Sequence, residues 1–317
     1  MRTITALFVG LGSIGTRHLK NLANLCADRG WTLQADALRS DLTRPLRPGA
    51  AELLHAQYTD PAAAPAHYDM VFITNPTSLH AEALRQVRGR GAALFIEKPI
   101  FSAEQTGLAL DELLPAGQKA YVAAPMRWCG AMLALKDRLP ALHPYCARVI
   151  CSSYLPDWRP GVDYRTLYSA RKALGGGVTI DLIHEWDYLV ELFGVPEKLY
   201  NFKGTYSELE IDSDDLSVYI AKYPTLLAEV HLDYFGRGYR RSIELFCRDG
   251  SYLADFGKGT LTLPDGTVQH YEEDVNRRYE REMEYFVDYA LTGCGESCNP
   301  PALALKVLKL TLGENVQ

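Results

Sequence analysis

The chain has 317 residues, of which 47% are hydrophobic and 23% are charged, and its formal net charge is −6. This composition excludes a disordered chain, which would lack enough apolar surface to offset its ordering entropy. The 33 basic against 39 acidic residues exclude the basic footprint of sequence-independent DNA binding, so we expect no nucleic-acid partner. No stretch approaches 18 uninterrupted apolar residues, so we expect no membrane partner either.

The length predicts two domains, at roughly 100–200 residues per domain. The N-terminus runs directly into a strand-like segment, which argues against a signal peptide. Seven scattered cysteines then indicate reduced thiols, and we expect a cytoplasmic protein. Cys294 and Cys298 are the one close pair, but no histidine or second cysteine pair accompanies them. Because structural zinc normally has four ligands, we expect no metal.

Strand and helix patterns alternate over the first part of the chain. Apolar runs predict strands at 5–9, 32–38, 70–74, 92–96 and 120–123, and amphipathic stretches predict helices at 16–27, 78–88 and 103–113. Strands that alternate with helices at this spacing imply a parallel sheet with helices on both faces. We therefore predict an α/β dinucleotide-binding domain, a doubly wound parallel sheet of the Rossmann type, over residues 1–125.

Residues 126–317 show a different pattern, with strand-like segments separated by short turns. These segments are 145–154, 198–206, 216–223, 226–234, 241–247, 252–256 and 260–263. A helix is predicted after the glycines at 175–177, and two more at 277–291 and 301–312, which are free to pack back on the first domain. We predict an α+β domain with a large, mostly antiparallel open sheet that binds substrate and mediates oligomerisation.

Alternation along two of these strands predicts which residues face the helices. We place Leu216, Val218 and Ile220 on the helix-facing side, together with Ala228, Val230 and Leu232 on the next strand. Tyr219 and Tyr223 then fall on the other face.

The first strand ends in a glycine-rich motif, Gly10-Leu-Gly12-Ser13-Ile14-Gly15, which opens the first helix. In a dinucleotide site, one glycine makes the tight turn, another lets the backbone approach the pyrophosphate, and the third packs helix against strand. The helix N-terminus offers free N–H groups to the phosphates. The alternative is a glycine-rich turn in an unrelated α/β protein.

The end of the second strand indicates the cofactor. An NAD site usually has an acidic residue there for the ribose hydroxyl, whereas an NADP site has an arginine for the 2′-phosphate. Asp36 falls inside the strand, and Arg39 and Ser40 fall at its end, with Asp41 as a competitor. We predict NADP, with NAD as the alternative.

Two further motifs follow strands at the edge where open α/β sheets place their ligands. The first supplies Thr74, Asn75, Pro76 and His80, and the second is Glu97-Lys98-Pro99. We assign these residues to the cofactor site. Taken alone, Lys98 would as often be an ordinary surface lysine.

The helix after the glycines carries a carboxylate and an imidazole one turn apart. Asp181, His184 and Tyr188 follow one stripe at spacings of three and four. Such a pair can share a proton and act on one substrate atom. The alternative is a capped helix with a core histidine.

A long loop rich in arginine and aromatic residues precedes that helix. Rings can stack on sugar faces, and arginine binds carboxylate or phosphate through two N–H groups. The alternatives are a solvated or subunit-interface loop, and pairing of the arginines with Asp157 and Asp163. We expect a carboxylated or phosphorylated sugar, sialic-acid-like or nucleotide-linked, bound by Arg127, Trp158, Arg159, Tyr164, Arg171 and His184, with Arg165 in the same cluster.

Together these motifs resemble the Gfo/Idh/MocA family, named for glucose–fructose oxidoreductase, inositol dehydrogenase and rhizopine catabolism. The resemblance rests on the order of the elements over nearly the whole chain: the glycine motif, the Thr-Asn-Pro loop, Glu-Lys-Pro, the helix with Asp and His, and the late sheet. Many members space Asp and His four residues apart. Here they are three apart, which looks like a branch associated with sugar and surface-polysaccharide pathways.

The resemblance implies an NAD(P)-dependent oxidoreductase that acts on a sugar or sugar derivative. It implies a catalytic group of Lys98, Asp181 and His184, in which His184 is the general base, Lys98 stabilises the alkoxide, and Asp181 orients one of them. It also implies a homodimer or homotetramer, since family members pack the open face of the second sheet against another subunit. Two alternatives remain: a lyase or epimerase that recycles its bound cofactor, and a non-catalytic cofactor-sensing protein.

Overall fold

In a computed structural model, which describes residues 2–316, the chain divides into two compact units. The first runs to Ala123 and includes Tyr279–Leu305, and the second comprises Ala124–Arg278 and the chain from Lys306 onward. The first division thus falls at 123/124, beside the predicted 125/126. Residues 279–305 belong to the first unit.

The first unit is built on a six-stranded parallel sheet of order β3-β2-β1-β4-β5-β6. Its strands are Thr3–Val9 (β1), Thr32–Leu38 (β2), Leu54–Tyr58 (β3), Tyr68–Ile73 (β4), Gly91–Ile96 (β5) and Lys119–Val122 (β6). The predicted parallel sheet is confirmed. Prediction missed β3 because this edge strand has no fully buried residue and hence no apolar run.

Three helices follow strands of this sheet: Ser13–Asp28 (α1), His80–Gln86 (α2) and Leu110–Leu113 (α3). The helix predicted over 103–113 is wrong in its first half, which is a 3-10 turn at Ala103–Gln105. Ser102 and Gln105 cap that turn reciprocally, and this local hydrogen bonding competes with a continued helix.

Aromatic side chains fill the core of the first unit. Phe8 stacks on Phe72 with 4.4 Å between ring centroids, and Phe286 meets Phe72 and Phe95 edge to face. Phe286 lies on the helix Asn276–Thr292, the seventh in the chain. That helix therefore supplies core residues to a sheet formed by the first 122 residues.

The second unit is built on an eight-stranded sheet of order β14-β13-β12-β11-β7-β10-β9-β8. All its neighbours are antiparallel except β7 and β10, which run parallel, so the predicted mostly antiparallel sheet is confirmed. Its strands are Cys146–Tyr154 (β7), Lys198–Gly204 (β8), Leu216–Lys222 (β9), Leu227–Asp233 (β10), Phe235–Cys247 (β11), Gly250–Asp255 (β12), Thr260–Thr262 (β13) and Val268–His270 (β14).

The helices after the first unit's sheet are Gly130–Arg138 (α4), Val178–Asp181 (α5), His184–Phe193 (α6), Asn276–Thr292 (α7) and Pro301–Thr311 (α8). The predicted continuous helix from 178 to 193 is broken between α5 and α6 at Leu182 and Ile183. Asp181 therefore ends one helix and His184 begins the next. None of the helices in the described residues is long and apolar enough to cross a membrane.

The predicted faces of β9 are inverted. Tyr219 is fully buried, where it donates a hydrogen bond to the carbonyl of Thr311 and packs edge to face against Trp186 at 5.2 Å. Val218 and Ile220 point the other way and are at least partly exposed. Since successive side chains alternate across a sheet, placing one tyrosine inward turns the whole aliphatic row outward. On β10 the prediction of Ala228, Val230 and Leu232 as buried is correct.

Candidate active site

The glycine motif forms a loop that its surroundings hold tightly. Gly10 has a φ of +88°, and a Cβ there would lie 2.8 Å from the Cα of Asn75. A Cβ on Gly15 would lie 2.6 Å from the carbonyl oxygen of Gly10 and from the Oγ1 of Thr74. Thr74 also donates a 2.6 Å hydrogen bond to that carbonyl. Thr74 therefore fixes the loop against the end of β4.

Gly12 differs from its two neighbours, since a Cβ there would meet nothing within 4 Å. It precedes α1 without a side-chain cap, so the first N–H groups of the helix, at Ser13 and Ile14, receive no side-chain acceptor from that residue. Open space at Gly12 beside an uncapped helix start fits a phosphate brought close to the backbone. The residues of the predicted cofactor loop thus fit a dinucleotide.

An arginine lies at the end of β2, and the carboxylate of the nearby Asp36 already accepts hydrogen bonds from other residues. Asp36 is buried within the strand, where it accepts hydrogen bonds from the hydroxyl of Tyr68 at 2.8 Å and from Nδ1 of His55 at 3.1 Å. Arg39 follows the last strand residue and donates to the side chain of Gln57 and to the backbone carbonyl of Arg44. Ser40 is exposed beside it.

His80 has a different role from the one predicted. Its side chain is fully buried, with Nε2 3.0 Å from the carbonyl of Asn75 and Nδ1 3.1 Å from that of Ile100. Burial holds its pKa below the usual value, so the ring is neutral. A fully buried ring cannot contact a ligand, and His80 instead ties the Asn75 loop to the loop after β5. Asn75 and Pro76 remain at the surface.

Glu97 also holds neighbouring residues in place, because it is buried and both of its carboxylate oxygens have hydrogen-bond partners. One lies 2.6 Å from Nε2 of His18, and the other accepts the backbone N–H of Lys98 at 3.0 Å. Burial acts to raise the pKa of this carboxyl, but His18 and Lys98 bring it below its usual range. Lys98 is half-buried, and within the described part of the first unit its amino group has no hydrogen-bond partner.

In the second unit, a cavity of about 470 Å³ brings together Asp181 and His184, the two predicted catalytic residues of that unit. This volume lies within the range of small-molecule sites. The cavity is lined by Cys151, Ser153, Tyr154, Asp157, Trp158, Asp181, Leu182, His184, Arg237, Tyr239 and Arg241.

Two tyrosines hold the carboxylate of Asp181. The hydroxyl of Tyr168 donates to one oxygen at 2.6 Å, and the hydroxyl of Tyr234 donates to the other at 2.5 Å. Burial, together with the negative charge of Asp181, raises the pKa of both tyrosines, so they remain protonated donors. Trp158 packs edge to face on Tyr234 at 5.2 Å and donates its indole N–H to Ser153. Trp158 thus supports one of the two tyrosines as well as lining the cavity.

Of the other predicted substrate residues, none lines the cavity. Arg159 and Arg171 are exposed outside it. The hydroxyl of Tyr164 accepts the backbone N–H of Glu210, and Arg165 pairs with Asp163 and Glu210. The alternative of pairing with acidic neighbours therefore holds for Arg165.

The assignment of Arg127 to substrate is corrected by the structure. Its side chain is only 3% exposed and contacts Asp187 through two hydrogen bonds of 2.9 and 2.8 Å. A third, of 2.6 Å, joins it to Glu191. A buried arginine needs such partners, and here they belong to α6 of the protein itself. Arg127 anchors α6 against the segment Pro125–Trp128.

Comparison with known proteins identifies the first part of the chain. Residues 4–123 match the Gfo/Idh/MocA family model, described as an oxidoreductase family with an NAD-binding Rossmann fold. These residues therefore resemble the NAD-binding Rossmann domain of that family. The resemblance predicted from the motifs is confirmed over this segment, which contains every predicted cofactor residue. None of the curated proteins matches the sequence.

Solved structures extend the likeness in fold to nearly the whole chain. A levoglucosan dehydrogenase in complex with NADH and levoglucosan has a TM-score of 0.80 at 15% identity, covering 98% of this chain and 96% of its own. Myo-inositol 2-dehydrogenase from Lactobacillus plantarum has a TM-score of 0.75 at 19% identity, covering 98% and 96%. A UDP-N-acetylglucosamine 3-dehydrogenase from Acidithiobacillus ferrooxidans has a TM-score of 0.72 at 18% identity, covering 99% and 97%.

The Gfo/Idh/MocA prediction did not include the start of β11, which supplies Arg237, Tyr239 and Arg241 to the cavity. Phe235 pairs with Tyr154 of β7 and Arg240 with Ser152, so the ladder is interrupted between them by a bulge. The sequence signal was present, as Phe-Gly-Arg-Gly-Tyr-Arg-Arg holds three arginines and two glycines within seven residues. Alternation alone could not show which of them face the cavity, because the bulge changes the register.

Proposed function

We propose that this chain is an NADP-dependent oxidoreductase that transfers a hydride between the nicotinamide and a hydroxyl-bearing carbon of a sugar or sugar derivative. The observation that carries the proposal is the cavity of the second unit, which Asp181, His184 and Trp158 all line. In the oxidation of a sugar hydroxyl, an imidazole can accept the proton, a fixed carboxylate can stabilise the charged imidazole, and an aromatic face can pack against the sugar ring.

The choice of NADP rests on the end of β2. Asp36 is engaged with Tyr68 and His55, so its carboxylate is not available to a ribose hydroxyl. Arg39 stands at the strand end instead, and its contacts with Gln57 and Arg44 orient it without neutralising it, since neither partner atom carries a charge. Gly10, Gly12, Ser13, Ile14 and Gly15 would hold the pyrophosphate.

The roles of the catalytic residues follow the family pattern. His184 accepts the proton of the substrate hydroxyl, and Lys98 stabilises the negative charge that develops on the oxygen. Lys98 suits this task because its amino group has no hydrogen-bond partner among the described residues of its own unit. Asp181 has Tyr168 and Tyr234 as described partners, so it acts as a fixed negative charge near the base. That it orients Lys98 or His184 stays a prediction.

A carbohydrate substrate is supported by what similar folds act on. Two of the similar structures are named as dehydrogenases of levoglucosan and myo-inositol, and the former was solved with its sugar. Both substrates are polyhydroxylated rings, which suits a cavity with one aromatic wall and several hydroxyl and charged groups.

Turnover of a panel of sugars and polyols with NADP⁺, followed at 340 nm, tests the proposal. We expect Lys98→Met to retain less than a tenth of the wild-type rate, a loss of more than about 1.4 kcal/mol of barrier stabilisation. NADP affinity should stay within a few-fold, because the change leaves the phosphate loop intact.

Lys258→Met serves as the matched control, since its ammonium lies at the surface of the second unit, away from the cavity. A Lys98→Met enzyme that keeps more than a tenth of the rate would remove Lys98 from the catalytic group. Substrate conversion with no net absorbance change would identify a lyase or epimerase that recycles its cofactor.

A further inference from the structure

Of two arginines that line the cavity of the second unit, one is paired with a carboxylate and the other is not. Arg241 is joined to Glu185 by two hydrogen bonds of 2.7 and 3.1 Å, and Glu185 is fully buried. This pair is neutral as a unit, and Nε and one terminal nitrogen of Arg241 donate to Glu185. Arg237 forms no ion pair with any described carboxylate of its own unit. Its charge therefore remains available to a ligand.

Arg237 is held in place without being neutralised. Its guanidinium carbon lies 3.8 Å from the centroid of the Tyr154 ring, which also lines the cavity. A cation over an aromatic face is oriented by the ring quadrupole, yet its N–H groups at the edge stay free to donate. Stacking of this kind leaves a planar, two-pronged donor that matches a carboxylate or a phosphate.

The backbone that carries Arg237 is also fixed. Arg237 lies in the bulge of β11, where the N–H groups of Phe235 and Gly236 both donate to the carboxylate of Asp233. A Cβ on Gly236 would lie 1.8 Å from the Oγ of Ser152, so the bulge approaches β7 as closely as a glycine allows. The β-bulge and Gly236 therefore fix the position of the backbone that carries Arg237.

We infer that Arg237 forms an oxyanion subsite in the cavity of His184, so that the substrate carries a carboxylate or a phosphate. Asp157 also lines the cavity and is exposed, so the cavity does not have a uniformly positive potential. Anionic substrates are therefore distinguished from neutral ones by two direct hydrogen bonds to Arg237. The inference rests on the proposed function only in taking this cavity as the substrate cavity. It moves the expected anion recognition from Arg127, Arg159 and Arg171 to a residue of β11.

Calorimetric binding to the enzyme saturated with NADP⁺ tests the subsite independently of turnover. The probes are D-glucose, D-glucuronate and D-glucose 6-phosphate, which share a ring and differ in charge, and the two anions separate a carboxylate source from a phosphate source. We expect one of the two anions to bind at least tenfold more tightly than glucose. Arg237→Gln should weaken that anion about 10- to 100-fold, the range for a hydrogen-bonded charge, and glucose by less than about threefold.

Two further variants make the result specific. Arg237→Lys keeps the charge but loses the planar fork, so anion binding should fall between wild type and Arg237→Gln. Arg248→Gln makes the same charge change in the exposed turn before β12, outside the cavity, and should leave every affinity unchanged. Equal weakening by Arg248→Gln would show a general charge effect and overturn the subsite.

The subsite is also overturned if glucose binds as tightly as both anions, if neither anion binds measurably, or if Arg237→Gln leaves the preference intact. Failure here is distinguishable from failure of the proposed function. Lys98-dependent oxidation of neutral sugars without anion preference would leave the function and remove the subsite. Arg237-dependent anion binding without any Lys98-dependent turnover would leave the subsite and remove the function.

Discussion

Glu97, Glu185 and Asp187 are buried carboxylates, and each has a basic partner at hydrogen-bond distance: His18, Arg241 and Arg127. Removing a charge from water is costly unless a partner and hydrogen bonds replace the solvent. Loss of one partner leaves the other charge buried and uncompensated, so these pairs fix the positions of the segments that carry them. Glu97 fixes the loop of Lys98, and Glu185 fixes the start of α6 against β11.

Glu97→Gln should lower the free energy of unfolding at neutral pH by about 1.5–3 kcal/mol, the range for hydrogen bonds to a charged group. Because the folded-state pKa of Glu97 lies below its unfolded value, its contribution is complete above about pH 4.3 and is lost as pH falls through the folded-state pKa. Urea unfolding from pH 7 downward measures this. The difference from wild type should be constant to about pH 5 and narrow below about pH 4.

The control for this experiment is Glu52→Gln, which removes an exposed carboxylate of the first unit. A gap between wild type and Glu97→Gln that widens on acidification would contradict the lowered pKa of Glu97.

Arg39→Ala should weaken NADP binding by about 1.5–3 kcal/mol and barely change NAD binding. The reason is that the guanidinium of Arg39 lies at the end of β2, where the 2′-phosphate is the only group that distinguishes the two cofactors. Titration of both cofactors against the variant measures the effect. Equal loss of affinity for both would show that Arg39 does not contact the 2′-phosphate.

At the scale of elements, the glycines of the β1–α1 loop are present for two different reasons. Gly10 and Gly15 are required by the protein's own packing. A side chain at Gly10 would overlap Asn75, and a side chain at Gly15 would overlap Gly10 and Thr74. Gly12 has open space around it and a φ of −73°, which any residue can adopt. The protein itself therefore gives no reason for a glycine at position 12, and the approach of a phosphate supplies one.

A matched pair of variants tests this distinction. Gly15→Ala should lower the free energy of unfolding by about 1–3 kcal/mol, the cost of overpacking a tight contact. Gly12→Ala should leave the unfolding midpoint nearly unchanged but weaken NADP binding. Thermal unfolding without cofactor and calorimetric titration with cofactor measure the two effects. If Gly12→Ala bound NADP as well as wild type, the phosphate would not approach this residue.

For the whole molecule, the outward face of the large sheet is the feature that governs assembly. Tyr200 and Phe202 of β8 pair across the ladder with Ile220 and Val218 of β9, and all four point away from the helices. Phe202 is 72% exposed. Arg148 and Glu229 form an ion pair on the same face, and Glu229 pairs with Ile220 across the ladder, so a charged pair borders the apolar row. We propose that this outer face contacts a second copy of the chain.

We expect a homodimer or homotetramer in solution, because a contiguous apolar patch of this kind marks a protein interface. Ile220→Glu should shift the protein toward the monomer by placing a charge inside the contact. Light scattering at micromolar concentration measures both states. Val268→Glu, which changes an exposed apolar residue on β14, is the control and should leave the oligomer intact. A monomeric wild-type protein would refute the proposal.

The sequence by itself determined the fold class and the nucleotide loop of this protein. Parallel strands buried on both faces give continuous apolar runs, and the glycine spacing follows from the loop's own packing together with the approach of a phosphate. Asp181 and His184 line one cavity for a similar reason, because a spacing of three residues keeps them close along the chain. Their short separation survives even the break between α5 and α6.

Tertiary structure decided the rest, and in each case through a partner distant in sequence. Arg127 is a structural residue because Asp187 and Glu191 lie across from it, 60 and 64 residues later. The faces of β9 depend on Thr311 and Trp186, since a strand with apolar residues on both sides gives no preference of its own. Arg237 enters the cavity only because a bulge shifts the register of β11. Short-range patterns predict elements and loops, whereas the direction of a single charged side chain depends on contacts that the local sequence does not contain.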